Sequence, residues 1–329
     1  MNAVRTVVAP GVVADLARQQ FRMRGVTACA LHSVTIHDHY LIEADGRRFM
    51  LRLYNAEHSA TPDHPDGLFE LELLACLAGQ GQPVAAPVAL ANGSRFGRLD
   101  VAEGSRRYAM FDFAEGQPIY PPSAAQARVL GAAVARLHAA MSGFQGAQPA
   151  ADLELDRVLE DSVRSLEAAV GARRADDLAF LHALATDLAR DLRGFDTLSR
   201  RGEAYGIVGE HFTGTNNHWT AGGTPIFFSF SACGRGWRAL DVASFLWVTL
   251  IYGIAAEVWG AYLDGYESVR ALSEVERSAL PDLAKLKMLQ AMAFHTTLTK
   301  WMGAAFQDAA YWERHFGPLR RWHQEVTPT

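Results

Sequence analysis

Near residue 115 the hydrophobic pattern of this chain changes period, and that change limits the folds open to it. Before it, residues 34–42 and 48–54 alternate apolar and polar side chains, the two-residue period of strands, with Asp45-Gly46 between them as a hairpin turn. Residues 11–23 have the spacing of a short helix, and residues 68–77 form another that ends near Gly79 and Gly81. Residues 83–90 and 108–113 give further strands. Residues 114–122, rich in Gly and Pro, form a connector. Beyond it, residues 124–141 place apolar side chains at i, i+3 and i+4, and residues 153–168 and 176–192 repeat that spacing. Two short apolar runs, 205–208 and 225–230, then flank a polar loop, and helices resume from residue 239. The expected fold class is α+β: a β-rich region, residues 1–115, with one inserted helix, and a larger, mostly helical region, residues 116–329.

Charge and cysteine usage exclude several roles. A net charge of −5 and a pI near 6.2 supply no basic surface, so nucleic acid is not an expected partner. Cys29, Cys76 and Cys233 are far apart and odd in number, giving neither a disulfide framework nor a zinc pattern. The most apolar stretch, residues 242–256, is interrupted by Ser244, Trp247 and Tyr252 and is too short to span a bilayer. The first ten residues lack the charged start and apolar run of a signal peptide. A cytoplasmic protein without a membrane partner is expected.

The specific signal lies in the second half. Residues 212–219 read Phe-Thr-Gly-Thr-Asn-Asn-His-Trp, residues 225–231 read Pro-Ile-Phe-Phe-Ser-Phe-Ser, and residues 233–243 read Cys-Gly-Arg-Gly-Trp-Arg-Ala-Leu-Asp-Val-Ala. With Gly209-Glu210-His211 ahead of them, these runs resemble, without gaps, the successive motifs H-G-D-x-H-x-x-N, I-D-F-D-D and G-x-G-x-x-x-x-D-[LV]-A of the aminoglycoside phosphotransferase and choline kinase-like family. Residues 108–119 resemble that family's hinge strand and connector, and residues 130–138 its L-G-x-x-[LV]-A-x-L-H helix. The resemblance covers roughly residues 30–300 and is strongest to the bacterial stress-response kinase and homoserine kinase type II groups. It implies a protein kinase-like, two-lobed fold with a small β-rich N-lobe and a larger helical C-lobe.

Carried over residue by residue, the resemblance places His211 where the family has its catalytic aspartate, Asn216 at its asparagine, and Ser229 at its metal-binding aspartate, with Ser231 at the next acidic position. It places Arg52 at the strand position that usually holds Lys or Arg, with Glu70 as its helix partner. No lysine precedes Lys285, so the cation there is an arginine. Met110, Phe111 and Phe113 fall at cofactor-binding positions, and Asp241 at the late aspartate that braces the catalytic loop. The loop expected to cover phosphates, residues 31–39, contains no glycine. His211, Asn216 and Ser229 are expected to face one cleft between the lobes.

Magnesium prefers hard oxygen ligands, commonly one or two carboxylates besides phosphates and water. Ser229 and Asn216 supply a hydroxyl and an amide, so affinity for a nucleotide–magnesium complex is expected to fall unless Glu210 turns inward. With these substitutions the resemblance implies a pseudokinase with no cofactor, binding a small molecule, a peptide or an active paralogue. Two alternatives stay open. One is a working phosphotransferase that uses ATP and Mg²⁺ with unusual ligation, acting on a metabolite or protein hydroxyl. The other is new chemistry, such as a Ser229–His211–Asp241 triad, although no G-x-S-x-G surrounds Ser229. Residues His32, His37 and His39 cluster as a candidate zinc set against a plainer reading as solvated strand histidines, with Asp38 as a turn residue.

Overall fold

The computed structural model describes residues 5–55, 68–147, 152–171, 174–200, 202–209 and 212–326. Two compact units emerge. The first comprises Met1–Gln117, Gly143–Ala151 and Asn217–Ser231; the second comprises Pro118–Ser142, Asp152–Asn216 and Ala232–Thr329.

The first unit is built on strands β1 (Val26–Val34), β2 (Asp38–Ala44), β3 (Arg47–Leu53), β4 (Pro87–Val88), β5 (Gly97–Val101) and β6 (Gly104–Asp112). They form an antiparallel sheet of order β1-β2-β3-β6-β4, with β5 paired to β6. Helix α1 (Pro10–Gln20) covers one face, burying Val13 and Ala17 against Tyr40, Ile42, Leu51, Leu53, Tyr108 and Met110. Helix α2 (Leu68–Gly79) belongs to the same unit. The alternation in residues 38–44 and 47–53 has its cause here: every second side chain enters this core. Asp45 and Gly46 both take positive φ, 53° and 74°, the backbone that a tight two-residue hairpin needs.

The strand expected over residues 34–42 is interrupted. The chain reverses at Thr35–His37, where the Thr35 N–H donates to the His37 carbonyl, and residues 26–34 form a separate strand. That outer strand is largely exposed, so its sequence carries no apolar alternation to read. The region expected over 83–90 is mostly not strand: only Pro87–Val88 pairs with β6, because Pro83 and Pro87 bring no N–H to a ladder.

His37 and Asp38 are not solvated. Both are buried, and Asp38 is wholly so, because it receives the guanidinium groups of Arg5 and Arg106. Arg106, itself 1 % exposed, also donates to the carbonyls of Tyr54 (2.8 Å), Thr6 (2.9 Å) and Leu53 (3.0 Å). One side chain thus ties the N-terminal segment, β2, the end of β3 and β6 together. A planar cation with five donors suits that task where an ammonium does not.

The second unit holds α3 (Ala124–Met141), α4 (Leu155–Val170), α5 (Ala175–Ser199), β7 (Tyr205–Val208), β10 (Gly234–Trp237), α6 (Arg238–Ile251), α7 (Ala256–Glu267), α8 (Glu274–Met302) and α9 (Ala309–Val326). The strands β8 (Asn217–Trp219) and β9 (Pro225–Phe227) form a hairpin that groups with the first unit. Capping boxes start α3 at Ser123/Gln126 and α8 at Ser273/Glu276. Helices α3 and α7 meet backbone to backbone: a Cβ on Gly131 would stand 2.0 Å from the Tyr262 carbonyl oxygen, and one on Gly265 2.0 Å from that of Arg128. Among the described residues no helix is long and apolar enough to cross a membrane.

Removing one partner of a buried ion pair leaves the other uncompensated, so Arg106→Ala should cost about 3–5 kcal/mol of unfolding free energy in urea titration. Arg106→Lys should recover little of that loss. Equal stability for Lys and Arg would mean that the three carbonyl contacts contribute nothing.

Candidate active site

On the sheet face opposite α1, Arg52 of β3 donates to Glu70 of α2 at 2.7 Å, and the Tyr54 hydroxyl donates to the other Glu70 oxygen at 3.1 Å. Both partners of the ion pair are buried. The guanidinium lies 4.9 Å from the centre of the Phe111 ring and 5.5 Å from that of Tyr54. Burial opposes the charge on Arg52, but Glu70 and Tyr54 outweigh it and hold the pKa above its ordinary value. Burial, then Glu70, pushes the Tyr54 phenol up. Strand alternation splits the predicted cofactor residues: Phe111 shares the Arg52 face, whereas Met110 points the other way, into the core under α1.

The connector that follows β6 is tied to the β8–β9 hairpin. Gln117 and Trp219 exchange both backbone hydrogen bonds, at 3.0 and 2.8 Å. Gly116, at φ 128°, leaves no room for a side chain, since a Cβ would fall 2.3 Å from the Trp219 carbonyl oxygen. Arg48 pairs with Glu115 and stacks 4.2 Å from the centre of Phe113. His218 of β8 donates from Nδ1 to the Ala114 carbonyl at 2.6 Å, and its ring contacts Phe113 (5.8 Å) and Phe228 (5.0 Å). The sequence marked His218 only by its spacing of seven residues from His211, as a metal pairing, and nothing in it pointed to the connector carbonyl.

After β9 the chain reaches Ser229 with φ 68°, in the left-handed region that non-glycine residues rarely enter. Ser229 is half-buried, Phe230 beside it is fully buried, and Ser231 is exposed. Asn216 closes the second unit's segment and is half-buried. Asn217, next along, is fully buried, with neither side-chain amide atom paired among the described residues. His211 and Glu210 lie outside the described residues, so the predicted meeting of His211, Asn216 and Ser229 is a matter for experiment.

What leads up to His211 is tightly organised. Asp241 of α6 is completely buried, and its Oδ2 accepts from the Gly209 N–H (2.8 Å) and from His138 Nε2 (2.9 Å). On the other side of the imidazole, Nδ1 shares a hydrogen bond with the Tyr266 hydroxyl (2.8 Å). Arg270 donates to Tyr266 at 3.3 Å and to Glu276 at 2.6 Å, and Glu276 caps α8 through Ser273. The Asp241 carboxylate accepts, so Nε2 of His138 carries a proton. Burial lowers its pKa against the pull of Asp241. Beyond the gap, Gly214 at φ 92° lies under Leu130 and Tyr120, while the hydroxyls of Thr213 and Thr215 bond each other at 3.2 Å.

Comparison with known proteins agrees with this layout. The sequence model described as the phosphotransferase enzyme family matches residues 27–276. The chain is 27 % identical over 322 residues to the uncharacterised protein sll1119 of Synechocystis sp., covering 97 % of this chain and 87 % of that one. It is 28 % identical over 282 residues to homoserine kinase of Mesorhizobium japonicum, covering 82 % of this chain and 79 % of that one. Among solved structures it is similar to an amicoumacin kinase in complex with AMP-PNP and Ca²⁺ (TM-score 0.74, 17 % identity, 97 % and 98 % of the two chains). It is also similar to a microcompartment-associated aminopropanol kinase (TM-score 0.71, 19 % identity, 95 % and 94 %).

One buried and two half-buried histidines set an acid limit. Burial, then Arg52, His32 and Arg5, lowers His39 from 6.5 to about 3; burial, then His315, lowers His295 to about 4; His138 is lowered by burial. A histidine whose folded pKa lies below its unfolded value has no effect above about pH 6.5 and destabilises the fold as pH drops from there toward the folded pKa. Unfolding midpoints in urea should therefore be flat from pH 8 to 7 and fall between pH 6.5 and 4. Each such group contributes up to about 1.4 kcal/mol per pH unit. His138→Gln, which can still donate and accept, should fall less steeply; an unchanged slope would mean that His138 does not contribute to the acid limit.

Proposed function

The chain belongs to the phosphotransferase enzyme family, and on that premise we propose that it is a pseudokinase, a member that has kept the framework and lost normal Mg²⁺–ATP phosphoryl transfer. The observation that carries this reading is Ser229. Its φ of 68° is a backbone that Asp and Asn, with short side chains able to bond locally, tolerate better than most residues. The backbone there suits the family's aspartate, while the side chain is a neutral hydroxyl.

The donor set does not fit a magnesium site of the family's kind. Phosphoryl transfer depends on positioning and on neutralising charge, and the metal supplies much of the neutralisation. Hydroxyls at 229 and 231 and an amide at 216 bring no negative charge to hold a divalent ion. His211 could accept a proton as neutral imidazole, but a base without the metal contributes little. In this reading the protein uses no cofactor and binds a small molecule, a peptide or an active paralogue. The buried Arg52–Glu70 pair favours a second reading, an active phosphotransferase with unusual ligation, because it joins the two residues that the family resemblance expects to pair on the phosphate side.

Thermal-shift and calorimetric titration with ATP, with and without Mg²⁺ or Mn²⁺, separates the two. The pseudokinase should gain no metal-dependent stability, whereas a binder at a hundredfold excess over Kd gains about 2.7 kcal/mol. The double variant His211→Asp with Ser229→Asp should melt lower than wild type without metal, because close carboxylates repel, and should regain part of the loss with Mg²⁺. Ser229→Asp alone should bind Mg²⁺–ATP more weakly than the double variant. Wild-type transfer at a rate that the double variant does not exceed would overturn the proposal.

A further inference from the structure

The second unit contains a cavity that the network around Asp241 does not use. It lies between α6, α8 and α9 and has a volume of about 130 Å³. Leu250 and Ile251 of α6, Met288 of α8, and Pro318 and Leu319 of α9 give it apolar walls. Water entering it would find few hydrogen-bond partners, and an apolar cavity of about 150 Å³ stays dry and takes up benzene. The wall side chains do not collapse into the space. Met288, of a type that usually adapts to fill gaps, is held by the Trp247 indole N–H, which donates to its sulfur at 3.1 Å. Pro318 has a closed ring in place of a rotatable side chain.

The two remaining lining residues, Arg321 and Trp322 of α9, carry donors. Arg321 is exposed, and no carboxylate pairs with it among the described residues. The half-buried Trp322 makes no hydrogen bond from its indole N–H among the described residues. Lys285 of α8, buried and paired with Asp282 at 2.9 Å, holds its ammonium 6.0 Å from the centre of the Trp322 ring. Beside the cavity, then, stand two cations, an unused indole donor and one carboxylate, Asp282. The end of α6 adds only the partial negative charge of a helix C-terminus. The net field favours an anion.

We propose that this cavity binds a small amphipathic carboxylate, whose apolar part, of about six carbons, enters between α6, α8 and α9 while its carboxylate meets the Arg321 guanidinium and the Trp322 N–H. A planar guanidinium offers a carboxylate two parallel N–H···O bonds. A plain hydrocarbon leaves both donors idle, and an amine brings a third positive charge to the mouth. The inference rests on neither reading of phosphoryl transfer, because none of these residues falls within the motifs that carry the family resemblance.

The test is calorimetry on the full chain at neutral pH with hexanoate, hexylamine and acetate. Wild type should bind hexanoate at least about ten-fold more tightly than either of the others. Arg321→Gln, at an exposed position, should weaken hexanoate at least about ten-fold through loss of the charge-assisted contact. Leu250→Trp, also exposed, should abolish binding by filling the cavity. In parallel, the Trp322 indole N–H resonance, identified by its loss in Trp322→Phe, should move most among the tryptophans as hexanoate is added. No hexanoate binding by wild type overturns the proposal, and so does equal affinity for hexanoate and hexylamine. Binding that persists in Leu250→Trp, or that Arg321→Gln leaves unchanged, overturns it as well. Should Leu250→Trp fail to fold, Arg321→Gln and the resonance decide: hexanoate that binds without moving the Trp322 signal overturns the inference. None of these titrations contains ATP or Mg²⁺, so failure here leaves the proposed function untouched, and the reverse holds.

Discussion

A carboxylate with no access to water must be held by donors, and Asp241 organises the second unit around that requirement. Desolvating it costs several kcal/mol, which is offset only by well-placed hydrogen bonds. The donors it finds are the Gly209 N–H and the His138 imidazole. The first fixes the strand end that leads to Glu210 and His211. The second passes the constraint through Tyr266 and Arg270 to the cap of α8. Four helices and the strand end at Gly209 thus share one chain of buried and half-buried hydrogen bonds.

The first unit has a counterpart in Arg106, whose guanidinium joins Asp38 to three backbone carbonyls. Nearby, Arg52 and Glu70 form a second buried pair on the other face of the sheet. In the proposed reading, framework and chemistry part company in this protein. The ion pair, the bracing aspartate and the left-handed backbone at residue 229 are all in place. The carboxylate that the backbone suits is absent, replaced by the hydroxyl of Ser229. Folding selects for the framework through burial and hydrogen bonding. It exerts no such pull on a half-buried side chain such as that of Ser229, which can change without disturbing the core.

Sequence legibility followed the same division. The Asp45-Gly46 turn, the helices after residue 122 and the ordered motifs from residue 205 to 243 could be read directly, because periodicity and glycine placement report burial and backbone sign. Strand β1 could not, since an exposed edge strand imposes no alternation. The pattern around His37 and Asp38 predicts a solvated histidine and a turn residue, because polar residues near a turn usually face water. Nothing local announces that Arg106, 68 positions further on, folds back over Asp38.

By itself, then, the sequence determined the fold class and the order of elements, and it set as expectations the family positions occupied by His211 and Ser229 and the pairing of Arg52 with Glu70. Only the tertiary structure decided that Met110 enters the core while Phe111 meets Arg52, that His138 and Asp241 share a proton-ordered contact, and that His218 reaches the connector carbonyl. The reason is range. Periodicity and motif spacing encode which face of an element is buried, a property of neighbours along the chain. The partner of a buried polar group is set by which distant segment packs against it, and that choice is made by the whole core at once.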